Sequence, residues 1–294
     1  MPTLELNFRS LISPLGIVRF LEIFLSCTAF SLVAVHHSYS DSNGVWCMFT
    51  WCFCFIVSVF IILLEFIGVG PSLPISWHDF TCAFSMLASL MIFTTSIVYP
   101  SITISKYCKS SHCSYEGAAT AMSCFCFIAY AVEVGLTRAK GGEVSSFLAT
   151  VPGLLKVFEA YVACLIFSLV DYGKHYSHYP GLQWCLAVYC ICFIVTMFII
   201  ILTVGRCLGS LPIPLEKTLV GYNFLAVLMY LTAAIVWPIY SFKNFPNPCK
   251  TQSSVVCTLW NNLLGVTFLT FFNLIAYIVD LVYSSKMVFV TTPA

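Results

Sequence analysis

Eight continuous apolar runs, at roughly 16–37, 46–68, 79–99, 117–137, 153–173, 184–205, 218–240 and 260–283, occupy most of the chain. A helix needs about 20 mostly apolar residues to cross the hydrocarbon core of a bilayer, and each run supplies that length. The runs are unbroken rather than alternating, and an open sheet edge cannot satisfy its backbone in lipid, so strands are excluded. The chain reads as an all-α membrane protein with eight transmembrane helices. Only 9% of its 294 residues are charged, against about 25% in soluble domains. A water-facing surface cannot be built from so few, which excludes a soluble enzyme and a disordered regulator. The formal net charge of +1 offers no field for phosphates, so no nucleic-acid partner is expected.

The segments between runs are short, and none is long enough for a catalytic domain outside the membrane. The first run is too long for a signal-peptide core, carries Arg19 and Glu22, and has no A-x-A site, so it reads as a retained span. Pro2 excludes myristoylation, and no N-x-S/T sequon occurs. Trp46, Trp77, Trp184, Trp237 and Trp260 stand near run ends, where amphipathic rings favour the interface.

The chain is written twice. Residues 46–64, WCMFTWCFCFIVSVFIILL, and 184–202, WCLAVYCICFIVTMFIIIL, agree at eleven of nineteen positions at an offset of 138. Ser72-Leu73-Pro74-Ile75 recurs as Ser210-Leu211-Pro212-Ile213 at the same offset, and residues 84–100 match 222–238 at eight of seventeen positions. Gly16, Arg19, Glu22 and Cys27 align with Gly153, Lys156, Glu159 and Cys164. Ile128-Ala129-Tyr130 and Glu133 align with Ile275-Ala276-Tyr277 and Asp280. Shared hydrophobicity would not hold an offset through two loops or repeat the placing of charges, so this is an internal duplication. Each unit has four spans, an even number, so the copies share one orientation as a parallel repeat. Glu65 departs from the symmetry, its counterpart being Thr203.

A four-span unit duplicated to eight, with G-x-x-R/K-x-x-E opening each unit and a cysteine pair before each last span, resembles the MARVEL domain. The tandem form resembles the myeloid-associated differentiation marker family. The resemblance covers nearly the whole chain and implies two MARVEL-like four-helix bundles, at 12–138 and 149–285. Residues 139–148 would be a cytosolic linker and 286–294 a short cytosolic tail. It also implies a role in vesicle trafficking, membrane apposition or cholesterol-rich domains.

Loop lysine and arginine counts, six against five, do not set the orientation by themselves. With the N-terminus inside, Arg9, Arg138, Lys140, Arg206, Lys217 and Lys286 face the cytosol, and Lys106, Lys109, Lys174, Lys243 and Lys250 face outward. Arg19 and Lys156 snorkel inward and make it eight against five. Cys108 and Cys113 share one loop, and Cys249 and Cys257 share its equivalent, which suits two disulfides on an oxidising face. Both arguments place the termini in the cytosol, with the protein at the plasma membrane and in trafficking vesicles. Cys207 follows Arg206 at a cytosolic span end and is a candidate for S-palmitoylation. His36, His37, His175 and His178 lie at the outer face without a carboxylate-rich ligand set, so they read as solvated interfacial residues. The intramembrane pairs Cys52-x-Cys54, Cys124-x-Cys126 and Cys190-x-Cys192 point about 200° apart on a helix and cannot grip one metal ion. They read as small apolar filler.

The charges inside the spans are the sharpest feature. Arg19 and Glu22 share one helix face, as do Lys156 and Glu159, and Glu65, Glu133 and Asp280 lie near span ends at the same depth. A charge at the bilayer centre costs about 2.5–3.5 kcal/mol on insertion scales. The seven residues are expected to neutralise one another near the cytosolic surface. No P-loop, dinucleotide fingerprint or local nucleophile–base set is present, so neither a cofactor nor an active site is expected. The expected function is a non-enzymatic organiser that works through lipids and lateral helix contacts, homo-oligomers included. The alternative is a small transporter or channel using the buried charges.

Overall fold

The structure is a computed structural model that describes residues 8–36, 42–107, 113–140, 147–170, 177, 179–206, 215–243 and 254–290. Among them the regular elements are all helical. They are α1 (Phe8–Ile12), α2 (Pro14–His36), α3 (Ser42–Phe66), α4 (Trp77–Tyr107), α5 (Cys113–Lys140), α6 (Val151–Val170), α7 (Pro180–Val204), α8 (Leu215–Phe242) and α9 (Ser254–Val290), with a short 3₁₀ turn at Gly70–Ser72. The eight helices from α2 to α9 are long and apolar enough to cross a membrane.

The chain divides into two compact units, Met1–Thr150 and Val151–Ala294. In the first, α2 packs on α3, α3 on α4, α4 on α5 and α5 back on α2. In the second, α6, α7, α8 and α9 close the same ring. The first and last spans of each unit are therefore neighbours, although they are the farthest apart in sequence. Lipid supplies no hydrophobic drive between helices, so close approach relies on small residues and polar ties. Ala29, Ala88 and Ala119 are buried in the first unit, and Ala160, Ala163, Ala226 and Ala233 in the second. Large rings fill the centres. Trp51 meets Tyr99 edge-on at 5.2 Å between centroids, and Tyr230 meets Tyr277 at 5.1 Å. Phe24, Ile56, Phe125, Ile194, Phe198 and Phe268 point outward and are more than half exposed, as lipid-facing side chains must be.

Several helices outrun their apolar stretches. α4 and α8 continue through Pro100 and Pro238 without breaking. Just after Pro100 the Ser101 and Thr103 hydroxyls donate to the Val98 and Tyr99 carbonyls at 2.7 and 2.8 Å. α9 extends beyond the apolar run 260–283 at both ends.

Three local devices hold the first unit's charged end. Ser13 caps α2 ahead of Pro14, its Oγ accepting from the Gly16 amide at 3.1 Å. A Cβ on Gly16 would lie 2.4 Å from the Ser10 carbonyl oxygen, so only glycine admits the tight turn from α1. Ahead of α4, Ser76 donates to Asp79 Oδ2 at 2.6 Å. Asp79 Oδ1 in turn accepts from the Leu148 amide at 2.9 Å, and Cys82 Sγ donates to the Leu148 carbonyl at 3.3 Å. Leu148 is fully buried, so the segment after α5 is anchored to the unit that precedes it.

Candidate functional site

Arg19 stands near the start of α2 and is 2% exposed. Its Nε donates to Glu133 Oε1 on α5 at 2.5 Å, and its Nη1 lies 2.5 Å from Glu65 Oε2 on α3. Glu65 also accepts from the Trp77 indole N–H at 3.2 Å. One cation thus ties three helices. Glu22 lies one turn farther along α2 and is fully buried. Neither of its carboxyl oxygens meets a donor among the described residues.

The second unit repeats the arrangement with different partners. Lys156 Nζ on α6 donates to Glu159 Oε2 at 2.8 Å and to Asn223 Oδ1 on α8 at 2.6 Å, and lies 2.7 Å from Asp280 Oδ2 on α9 as an ion pair. Asn223 Nδ2 donates to Ser284 Oγ at 3.2 Å, and Ser284 Oγ donates to Asp280 Oδ1 at 2.8 Å. Nζ also lies 5.0 Å from the ring centres of both Tyr222 and Tyr277, within reach of a cation–π attraction.

The difference between units follows from one position. Glu65 gives Arg19 a second acid from α3. Its counterpart Thr203 turns its hydroxyl to the Ile199 carbonyl of its own helix at 2.8 Å. Lys156 instead takes the acid one turn along its own helix, which Arg19 does not contact.

Deeper in each bundle, polar ties recur at duplicated positions. Trp51 Nε1 donates to Ser123 Oγ at 3.1 Å, and the corresponding Tyr189 and Thr270 hydroxyls lie 2.7 Å apart. Ser58 and Tyr130 are joined at 2.8 Å, and Thr196 and Tyr277 at 3.0 Å. Cys126 Sγ lies 3.8 Å from the Glu22 carbonyl, and at the equivalent place Asn273 Nδ2 donates to the Glu159 carbonyl at 3.4 Å. Asn273 also donates to the Tyr230 hydroxyl at 2.8 Å. Sequence reasoning passed over these ties and over Asp79. The signal was available, since positions 51, 58 and 123 keep hydrogen-bonding groups at 189, 196 and 270 through the repeat offsets, and Ser76-x-x-Asp79 is a helix-start pattern.

Among the described residues no group of three or more His, Cys, Asp or Glu side chains could hold a metal ion. Cys47, Cys54, Cys126, Cys185 and Cys192 are buried thiols within the packed helices. Cys108, Cys207, Cys249, His37, His175 and His178 lie outside the described residues, as do the side chains of Cys113 and His36. Cys257 stands in the first turns of α9, with the Asn261 amide 3.9 Å from its sulfur.

Comparison with known proteins places the same repeat on record. The model of the MARVEL membrane-associating domain matches residues 10–136 and again 147–283. The chain is 44% identical to the Xenopus laevis myeloid-associated differentiation marker homolog, over 97% of this chain and 96% of that protein. It is 42% identical to the human myeloid-associated differentiation marker, over 96% of this chain and 90% of the relative. Identity to the human myeloid-associated differentiation marker-like protein 2 is 41%, over 97% of this chain and 95% of the relative. No solved structure matches it.

Proposed function

This chain belongs to the MARVEL family, in the tandem form of the myeloid-associated differentiation markers, and from that premise we propose that it organises membrane domains without catalysis. In this reading it gathers ordered, raft-type lipid and partner membrane proteins at the plasma membrane and in trafficking vesicles. Both termini are cytosolic.

The observation that carries the reading is where each unit keeps its polarity. Cations and carboxylates face inward and bind one another, while the outward side chains are large hydrocarbons. What such a surface offers its surroundings is packing, to acyl chains, sterols and apolar helices. A groove of about 340 Å³ along α2 and α5, lined by Phe24, Cys27, Thr28, Ser31, Leu32 and Tyr115, adds a second shape for lipid to fill. Two similar units in one chain give built-in bivalency, so one molecule holds two neighbours together. A second copy of the chain is one such neighbour.

Two covalent features belong to the same reading. Disulfides Cys108–Cys113 and Cys249–Cys257 brace the outer loops, and the disulfide state of the Cys257 sulfur supports the second of them. Palmitoylation at Cys207 would strengthen association with ordered lipid.

The test is a flux assay in proteoliposomes. The purified protein should move neither ions, protons nor small solutes. Movement abolished by Glu133→Gln or Asp280→Asn would overturn the organiser and favour a transporter.

A further inference from the structure

Each unit buries more acid than base. In the first, Arg19 already binds Glu65 and Glu133, and Glu22 remains, fully buried, with no donor on either oxygen among the described residues. What the Glu22 carboxyl faces is the carboxyl of Glu133. In the second, one ammonium serves both Glu159 and Asp280, and Glu159 Oε1 has no donor among the described residues. The Glu159 carboxyl likewise faces that of Asp280. The two facing pairs occupy duplicated positions, one acid on the first span and one on the last.

Two carboxyls that share a dry site cannot both carry charge. Among the described residues the groups around Glu22 offer no second cation. α2 supplies Arg19, α3 supplies Glu65 and the Cys54 thiol, and α5 supplies Cys126, Tyr130 and Glu133. α4 brings the Cys82 thiol near Glu133. Around Glu159 the groups are Lys156, Cys192, Tyr222, Tyr277 and Asp280. A metal ion has no set of three ligands here among the described residues. The smallest cation remains, and it is the one that turns two opposed acceptors into a hydrogen bond.

We infer that each unit is a proton-binding site, with one proton held between Glu22 and Glu133 and one between Glu159 and Asp280. The proton is a permanent structural ligand. In the first unit it leaves Glu133 charged for Arg19 and lets Glu22 donate. In the second it allows a single lysine to balance two acids. The inference does not depend on the organiser reading, because it concerns charge balance and not the work done in the membrane.

The experiment is infrared spectroscopy of the purified full-length protein in nanodiscs at neutral pH. A protonated-carboxyl C=O stretch that shifts in D₂O should be present. Glu22→Gln should remove part of it, and adding Glu159→Gln should remove more. Glutamine keeps the shape of the neutral acid and supplies N–H in place of O–H, so Glu22→Gln should accumulate and melt like the wild type, while Glu133→Gln melts lower. Replacing sodium by choline should change neither the band nor the melting temperature. The inference is overturned by absence of the band or by its survival in the double variant. It is equally overturned by failure of Glu22→Gln to fold or by stability that depends on sodium.

Discussion

Arg19 on α2 and Glu133 on α5 meet at 2.5 Å across 114 residues of sequence. The contact closes the first helical ring, because it joins the span that opens the unit to the span that ends it. Lys156 and Asp280 do the same in the second unit at 2.7 Å. A cation on the first span and an acid on the last thus form the lock of each four-helix bundle.

Breaking that lock should be expensive. Removing one member of a buried pair costs about 3–5 kcal/mol. Arg19→Leu should therefore lower the melting temperature and reduce surface delivery, measured by flow cytometry of a tagged chain. Adding Glu133→Gln removes the stranded acid and should restore part of both. Normal delivery of Arg19→Leu alone would contradict the lock.

The hydroxyl ties should be worth less. Polar contacts between membrane helices average about 0.6 kcal/mol and reach about 1.7. Tyr130→Phe loses the bond to Ser58 and a 3.4 Å bond to the Cys54 carbonyl. Tyr277→Phe loses the bond to Thr196 and a 3.3 Å contact with Tyr222. The two should be similarly mild in thermal unfolding of purified protein, and both should cost less than Arg19→Leu.

The loop cysteines should be oxidised. Peptide mapping under non-reducing conditions should recover Cys108 linked to Cys113 and Cys249 linked to Cys257. Stabilisation by loops this short is modest, so reduction should lower the melting temperature only slightly. Free thiols at all four positions would refute the pairing.

Tags at both ends should be shielded in intact cells and accessible after permeabilisation. Labelling of either tag on unpermeabilised cells would reverse the orientation and move both charge clusters to the outer leaflet.

Much of this architecture is legible in the residues, and the reasons are physical. Lipid demands long apolar helices, so hydropathy alone finds the eight spans. Duplication preserves spacing, so the offsets of 138 and 137 align Glu65 with Thr203 and Arg19 with Lys156 before any contact is known. Charges inside apolar runs are costly, which marks Arg19, Glu22, Lys156, Glu159 and Asp280 as a set. Partner choice is not legible, because it depends on which helices become neighbours. Nothing in the spacing says that Arg19 passes over Glu22 for Glu65, or that Lys156 keeps Glu159. Asn223 and Asn273 escape for a different reason. Their counterparts, Ser85 and Cys126, are small and unremarkable in an apolar run, so the repeat does not flag them. Leu148 is hidden by its place after α5, where only the fold reveals the contact with Asp79.

The central claim is that this protein acts through the lipid-facing surface of two bundles that keep their charges inside. Phase partitioning of the tagged, full-length chain in giant vesicles shed from plasma membranes tests it most directly. The account predicts enrichment in the ordered phase at neutral pH, retained in Glu22→Gln. Exclusion of the wild-type chain from the ordered phase would contradict it.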